Sequence, residues 1–450
     1  MKARFHVLLA MVLCLGLALL YIAYLEPMYP TSEAGRRLQV QIPGVAGRGA
    51  IDDEADYISA AKNIVEGHGY SLDSIHPTAI RQPLYSIYLA PFFRTFGESV
   101  NTALMANACL LALLPLLAFL ITGALLDREA AVLSAYLCAF DPAFYFFGAG
   151  QVYAEALFAV LLCGGMALWL HARREGFTYP MLASAGAGLL LGAAALTRSG
   201  FLVFPLLLCA GEIFFWRRKK LKAALVLCAA ALICIVPWAL RNERALGAPV
   251  VSSTNDGTTL LGTALAAADG RGDWENPASL SPEYDRLQHM PDEIARNRQT
   301  RELALAKLRE IPPAKLAKVA VLRVARTWVP YTRLVRDENG RGLNLLLTAV
   351  FFPVMLFGMI GVAGVLTERC RLYSAAPILL TILYFTALAA AAWGSTRFRM
   401  PLEPVLVGFA ASGIFWGWNV VAGRIGSGCL SSAPKLMPES SSSETRARAS

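Results

Sequence analysis

Charged side chains are scarce in this sequence. They make up 16% of its 450 residues, against 56% hydrophobic ones, too few to cover the surface of the two or three soluble domains that such a length would otherwise suggest. The nine cysteines show no C-x-x-C spacing, and none falls in the polar stretches 27–100 and 241–342. A disulfide framework and a structural zinc site are therefore excluded as organising devices. No internal repeat is visible, which argues against the repeated halves of many secondary transporters. The excess of base over acid, a net charge of +9, comes without any nucleic-acid motif and falls largely in loops, where it reads as a topology signal and a set of contacts to anionic lipid.

What the chain does have is apolar length. Mean hydropathy is +0.49, and uncharged runs of about 20 residues recur. Hydrocarbon offers no partner to a backbone amide, so such runs must be helices, and they are too long and unbroken for barrel strands. The expectation is an all-α polytopic membrane protein. Ten spans fit, at about 6–26, 101–125, 130–148, 152–171, 180–197, 200–216, 223–240, 343–366, 373–393 and 401–421. The basic clusters "HARRE" (171–175), "WRRKKLK" (216–222) and "TERCR" (367–371) all fall on one side if the amino terminus is cytoplasmic, as the positive-inside rule requires. The polar stretches 27–100 and 241–342 then lie outside, with the turns near Tyr153, Arg198 and Arg397. Residues 1–426 form one transmembrane unit in this reading, and the Ser-rich end 427–450 is a disordered cytoplasmic tail. Within 265–335, Leu303, Leu305, Leu308, Val319, Leu322 and Val324 suit amphipathic helices lying on the membrane surface.

The stretch Ile51-Asp52-Asp53-Glu54-Ala55-Asp56-Tyr57 collects four carboxylates in an otherwise apolar chain. Asp53, Tyr57, Ala60, Ala61 and Ile64 recur at helical spacing, and Gly67 is a stop signal. By itself this reads as a solvated acidic patch at the start of a helix.

The residues that follow change that reading. The first polar loop carries D-x-x-x-Y-x-x-x-A-x-N-[IL]-x-x-G-x-G-[YF] through Asp53, Tyr57, Ala61, Asn63, Ile64, Gly67, Gly69 and Tyr70. It continues as R-x-P-L-Y through Arg81, Pro83, Leu84 and Tyr85, and ends at Phe96 and Gly97. Further on stand "DPAFYFFGAGQVYAEALF" with Glu155, "ALTRSGFLVFP" with Arg198 and "VPWALRNERALG" with Arg241 and Asn242. Then come Asn255, Gly257, Leu260 and, one residue early, Gly262; last comes "GSTRFRMPLEP" with Arg397 and Arg399. In this order the elements resemble the GT-C glycosyltransferases of the protein mannosyltransferase and aminoarabinose transferase type (family 39-like).

That resemblance implies a GT-C transmembrane bundle of about ten helices with exterior amphipathic helices, in the cell (inner) membrane with its active site facing the periplasm or exterior. It implies transfer of a sugar from a polyprenyl-phosphate donor to a lipid, glycan or protein acceptor. An attacking hydroxyl must lose its proton, which a neighbouring carboxylate can take; the resemblance gives this role to Asp53. Glu155 is the second acid, holding the acceptor or coordinating a divalent ion, and the metal is left open. The departing lipid phosphate is anionic, and arginine binds phosphate through a planar fork. Arg81, Arg198, Arg241, Arg397 and Arg399 are the candidates, with Tyr57, Tyr85 and Asn242 as further substrate contacts. Without the resemblance, each arginine reads as a snorkelling residue at a span end. His68 and His76, lacking a third ligand, read as hydrogen-bonding loop residues. Two other functions use similar parts: a lipid-linked sugar transporter or flippase, and a glycan ligase or polymerase.

Overall fold

The computed structural model describes residues 2–25, 53–214, 220–329, 341–367 and 369–421. The tail 427–450 and residues 27–52 of the first polar loop lie outside the described residues. No β-strand occurs among the described residues. Helix α1 (Lys2–Leu20) is followed by α2 (Asp53–Val65) and α3 (Leu84–Phe96), which belong to the first polar loop. Next come α4 (Val100–Leu111), α5 (Leu114–Leu125), α6 (Arg128–Ala139), α7 (Glu155–Arg173), α8 (Pro180–Ala195), α9 (Phe204–Phe214) and α10 (Leu221–Leu246). The second polar segment folds into α11 (Asp256–Ala268), α12 (Pro282–Gln288), α13 (Glu293–Arg309) and α14 (Pro313–Trp328). Helices α15 (Arg341–Thr367), α16 (Arg369–Ala391), the short α17 (Thr396–Arg399) and α18 (Glu403–Val421) complete the chain.

The expected apolar runs contain helix, but 130–148 breaks at Phe140–Asp141 into α6 and a π-helical turn (Phe144–Ala149); among the described residues six spans are long and apolar enough to cross a bilayer, and Pro180–Ala195, Ser199–Phe214 and Phe351–Thr367 are shorter apolar helices. Their outward faces carry what only lipid tolerates in quantity. Phe5, Leu8 and Val12 on α1, for example, are 63, 60 and 58% exposed. Helix α7 is the axis of the bundle. Ala156, Leu157 and Ala159 join the apolar cluster shared with α1, α3, α4 and α6. Phe158, Leu162, Cys163 and Met166 join a second cluster, shared with α5, α8, α9, α10, α16 and α18.

Small residues set the closest approaches. A Cβ on Gly192 would lie 2.6 Å from the Ala231 carbonyl oxygen, and one on Gly188 would collide with the backbone of Leu227. These two positions, one helical turn apart, let α8 and α10 pack backbone to backbone. At the end of α7 remote from Glu155, Arg173 turns inward and pairs with the buried Glu212 of α9, its guanidinium lying 4.8 Å from the Tyr373 ring. A residue counted as loop charge in the sequence is thus an internal ion pair.

Helices α11–α14 bury part of their apolar faces against one another. Leu303 packs beside Leu261, Tyr284 and Ala304, while Leu308 packs beside Ala267, Ile311 and Val319. Some of their apolar residues therefore face one another in small shared cores, while Leu305 of α13 and Val321 and Leu322 of α14 stay exposed at 41, 70 and 39%.

Candidate active site

The acidic stretch lies at the first turn of α2, where the unpaired amides at the positive end of the helix dipole favour carboxylates. One helical turn separates the acids into different roles. Glu54 is fully buried and accepts the Val152 amide at 2.8 Å, tying α2 to the turn before α7. Asp56 accepts Arg81 Nε at 2.8 Å. Asp53 accepts the other arm of the same guanidinium, Arg81 Nη2, at 2.8 Å, and faces Arg397 Nη2 at 3.5 Å. Asp52 lies outside the described residues.

Four separate stretches deliver the other groups to the same end of the bundle. Glu155 opens α7 and is fully buried. Arg198 stands in extended backbone where α8 ends, ahead of α9. Arg397 sits on α17, whose start is capped by the Ser395 hydroxyl accepting the Arg397 amide at 3.3 Å. Arg198 and Arg397 both donate to Glu155 Oε1. Arg397 thus bridges the two acids, and its guanidinium stacks 3.5 Å from the Tyr153 ring centre; that of Arg198 lies 4.8 Å from Phe398.

Burial alone would raise the Asp53 carboxyl, but Arg81, Arg397 and Arg198 hold it below its usual range, so it is a carboxylate at neutral pH. Burial, reinforced by the Asp53 charge, pushes the Tyr57 phenol up to about 12, keeping it a neutral donor. Two polar atoms in this cluster lack a partner among the described residues, Glu155 Oε2 and Arg198 Nε, and both are buried. One is an acceptor, the other a cationic donor.

The expected set therefore divides. Asp53, Glu155, Arg81, Arg198 and Arg397 come together, with Tyr57 beneath them on α2. Tyr85 packs edge-on against Tyr57 at 4.9 Å, is fully buried and donates to Asn107 Oδ1 at 3.0 Å, so it supports α2 and has no surface to offer a substrate. Arg399 is likewise sealed: its Nε donates to Glu403 Oε1 at 2.6 Å and its Nη1 to the Val329 carbonyl at 3.2 Å. Asn242 is buried and donates to the Val250 carbonyl at 2.7 Å. Arg241 donates to the carbonyls of Thr78 (2.7 Å) and Tyr70 (2.9 Å), holding the first loop. Asp56, Tyr153 and Phe398 were not singled out in sequence; each is one to three residues from a residue that was, but spacing alone does not reveal the direction of a side chain.

A divalent ion fits this donor set poorly. No group of three His, Cys, Asp or Glu side chains converges among the described residues, and the space between Asp53 and Glu155 is taken by the Arg397 guanidinium. His76 pairs with Asp73 at 2.8 Å and His68 with Glu66 at 3.4 Å, as loop contacts.

No family model matches the chain, and no curated protein matches its sequence. Solved structures do match its fold, the GT-C helical bundle, and six of the described helices are long and apolar enough to cross a membrane. The archaeal oligosaccharyltransferase AglB from Archaeoglobus fulgidus, in complex with an inhibitory peptide and a dolichol-phosphate, superposes with a TM-score of 0.53 at 16% identity over 93% of this chain. An Archaeoglobus fulgidus oligosaccharyltransferase in the apo form gives 0.53 at 17% identity over the same share. This chain spans only about half of theirs, 52% in both cases. ArnT from Cupriavidus metallidurans, bound to undecaprenyl phosphate, aligns over 83% of this chain and 75% of its own with a TM-score of 0.39 and 15% identity.

Proposed function

We propose that the protein is a glycosyltransferase that moves a sugar from a polyprenyl-phosphate carrier to a hydroxyl-bearing lipid, glycan or protein acceptor at the outer face of the cell membrane. One observation carries this reading: two carboxylates and three arginines, from stretches as far apart as Asp53 and Arg397, meet at one end of a GT-C bundle. The AglB structure described with a dolichol-phosphate supports a lipid phosphate as the donor class.

In this mechanism Asp53 takes the proton of the attacking hydroxyl as the oxygen bonds to the anomeric carbon. The bond from that carbon to the phosphate oxygen breaks, and its electron pair leaves with the lipid phosphate. Arg198 and Arg397 face the phosphate, where two guanidinium forks disperse its added charge. Glu155 keeps both arginines turned inward, and its free Oε2 can accept a hydrogen bond from a sugar or acceptor hydroxyl. Arg81 holds Asp53 Oδ1 at 2.8 Å, and Oδ2, 3.5 Å from Arg397 Nη2, is the oxygen that takes the proton. No step requires a metal.

The test is direct. Purified protein in detergent should move radiolabel from at least one of a panel of polyprenyl-phosphate sugars to an acceptor fraction of membrane lipid, glycan or peptide. Movement of the intact labelled lipid between leaflets of reconstituted vesicles, with no transfer from any donor, would establish the transporter in its place.

A further inference from the structure

Glu293, the first residue of α13, has no part in the chemistry above, yet it reaches across to the first polar loop. Its Oε2 accepts the Thr78 hydroxyl at 2.7 Å, and its Oε1 accepts the Ala79 amide at 2.9 Å together with the Thr254 hydroxyl. The Thr254 amide closes the same joint on the Ala79 carbonyl at 2.9 Å. From the other side, Arg241 of α10 donates to the carbonyls of Thr78 and Tyr70. The Tyr70 hydroxyl in turn donates to the carbonyls of Arg81 and Gln82, at 3.1 and 3.2 Å. Three elements distant in sequence thus grip the backbone immediately before Arg81.

We propose that Glu293 is a positioning residue, one that acts through the 78–82 backbone to fix the Arg81 guanidinium against Asp53. The proposal rests on the transferase reading for its functional consequence, though the grip itself does not. Thr78 is held at two points, its carbonyl by Arg241 and its hydroxyl by Glu293, so it can neither rotate nor slide along the chain. Arg81 follows three residues later with its side chain only 10% exposed, and its fork must meet two carboxylates at once. That bidentate geometry tolerates little displacement of its Cα. An acid suits position 293 because three donors converge on it at a helix amino terminus, where the dipole favours negative charge. The helices α11–α14 thereby acquire a role at the reacting end of the bundle: seating them sets the orientation of the base.

Glu293→Ala should lower kcat by roughly ten- to a hundredfold, the effect of an ångström-scale misplacement, while donor KM changes by less than about threefold because Arg198 and Arg397 are untouched. Glu293→Gln should recover most of the loss, since its amide oxygen still accepts from Ala79 and its nitrogen can donate to the Thr78 hydroxyl. Glu293→Ala combined with Arg81→Ala should be no slower than Arg81→Ala alone. Thr78→Val, which keeps the shape and removes one hydroxyl, should act in the same direction but more weakly, and guards against a Glu293→Ala protein that fails to fold. Independently of activity, backbone hydrogen exchange across 70–82 should accelerate at least about tenfold in the Glu293→Ala protein, with α7 and α10 unchanged. Multiplicative losses in the double variant would overturn the positioning role while leaving the transferase reading intact. Unchanged exchange across 70–82 would overturn the grip itself, even if the wild-type protein transferred no sugar from any donor.

Discussion

Replacing Asp53 by asparagine separates the chemistry of the acidic turn from its architecture. The amide keeps the shape of the side chain and removes its capacity to accept a proton. General-base catalysis is worth about a hundredfold to ten-thousandfold, so turnover should fall by that factor, equivalent to about 2.7–5.4 kcal/mol of barrier. Stability should change far less. The gross attraction of the Asp53 charge for Arg81 at 2.8 Å and for Arg397 at 3.5 Å is about 6 and about 5 kcal/mol at an effective dielectric constant of 20. Asp53 and Arg397 are in contact with water, at 28 and 21% exposure, so screening and side-chain entropy reduce the net worth of that pair to about 1 kcal/mol or less, and the new amide oxygen can still accept from the less exposed Arg81. Arg81 keeps Asp56 and Arg397 keeps Glu155 after the change, which leaves no cation stranded. The neighbouring acids should behave differently. Asp56→Asn still accepts Arg81 Nε and should cost less than about tenfold, the worth of a weakened charge-assisted bond. Glu54→Ala strands the buried Val152 amide, a penalty of about 1–3 kcal/mol, so folded yield should fall while activity per folded molecule persists. Initial rates with saturating donor, normalised to folded protein by size-exclusion chromatography, measure all three. Equal losses for Asp53→Asn and Asp56→Asn, or an Asp53→Asn protein within threefold of wild type, would refute the assignment.

Three further outcomes follow from the same site. Arg81, Arg397 and Arg198 hold the Asp53 carboxyl below its usual value near 3.9, so the acid limb of kcat/KM should lie below about pH 3.9 and move upward in Arg397→Gln. Linkage has the same sign: the depressed value contributes stability above the unfolded pKa, lost as pH falls through the folded one, and an unmoved limb would detach Asp53 from the rate. Dialysis against EDTA should leave turnover within about twofold, because Arg397 fills the space between the acids; a loss restored by added Mg²⁺ or Mn²⁺ would refute this. In a background without native cysteines, Glu310→Cys should react with a membrane-impermeant maleimide from outside the cell and Lys222→Cys should not; the reverse pattern would place the site on the cytoplasmic face.

The bundle was legible because hydrocarbon forces a helix on every long uncharged run, and the register of α2 because Asp53, Tyr57, Ala61 and Ile64 repeat at helical spacing. The meeting of Arg81, Arg198 and Arg397 was legible only through their place in ordered motifs. Arg241 and Arg399 stand in equally recognisable motifs but turn toward carbonyls and Glu403, because a linear pattern locates a guanidinium along a span without giving its azimuth. The distinct roles of Asp53, Glu54 and Asp56 were hidden for a related reason. One residue of helix is about 100° of rotation, enough to send Glu54 into the protein and leave Asp53 at the cleft. Glu293 carried no signal at all, since its partners lie on loops that no periodicity connects.

The position of Arg397 just before α18 also governs when the cluster can close during the protein's own synthesis. At about 5–20 residues per second, the ribosome reaches Arg397 roughly 15–60 s after it has made Arg81. Within that interval, once Arg198 has been made, Glu155, which ends fully buried, has Arg198 as its only completed cationic partner in the cluster. The nascent chain therefore holds both acids without the guanidinium that joins them, and a truncated product ending before α17 would have an unclosed site.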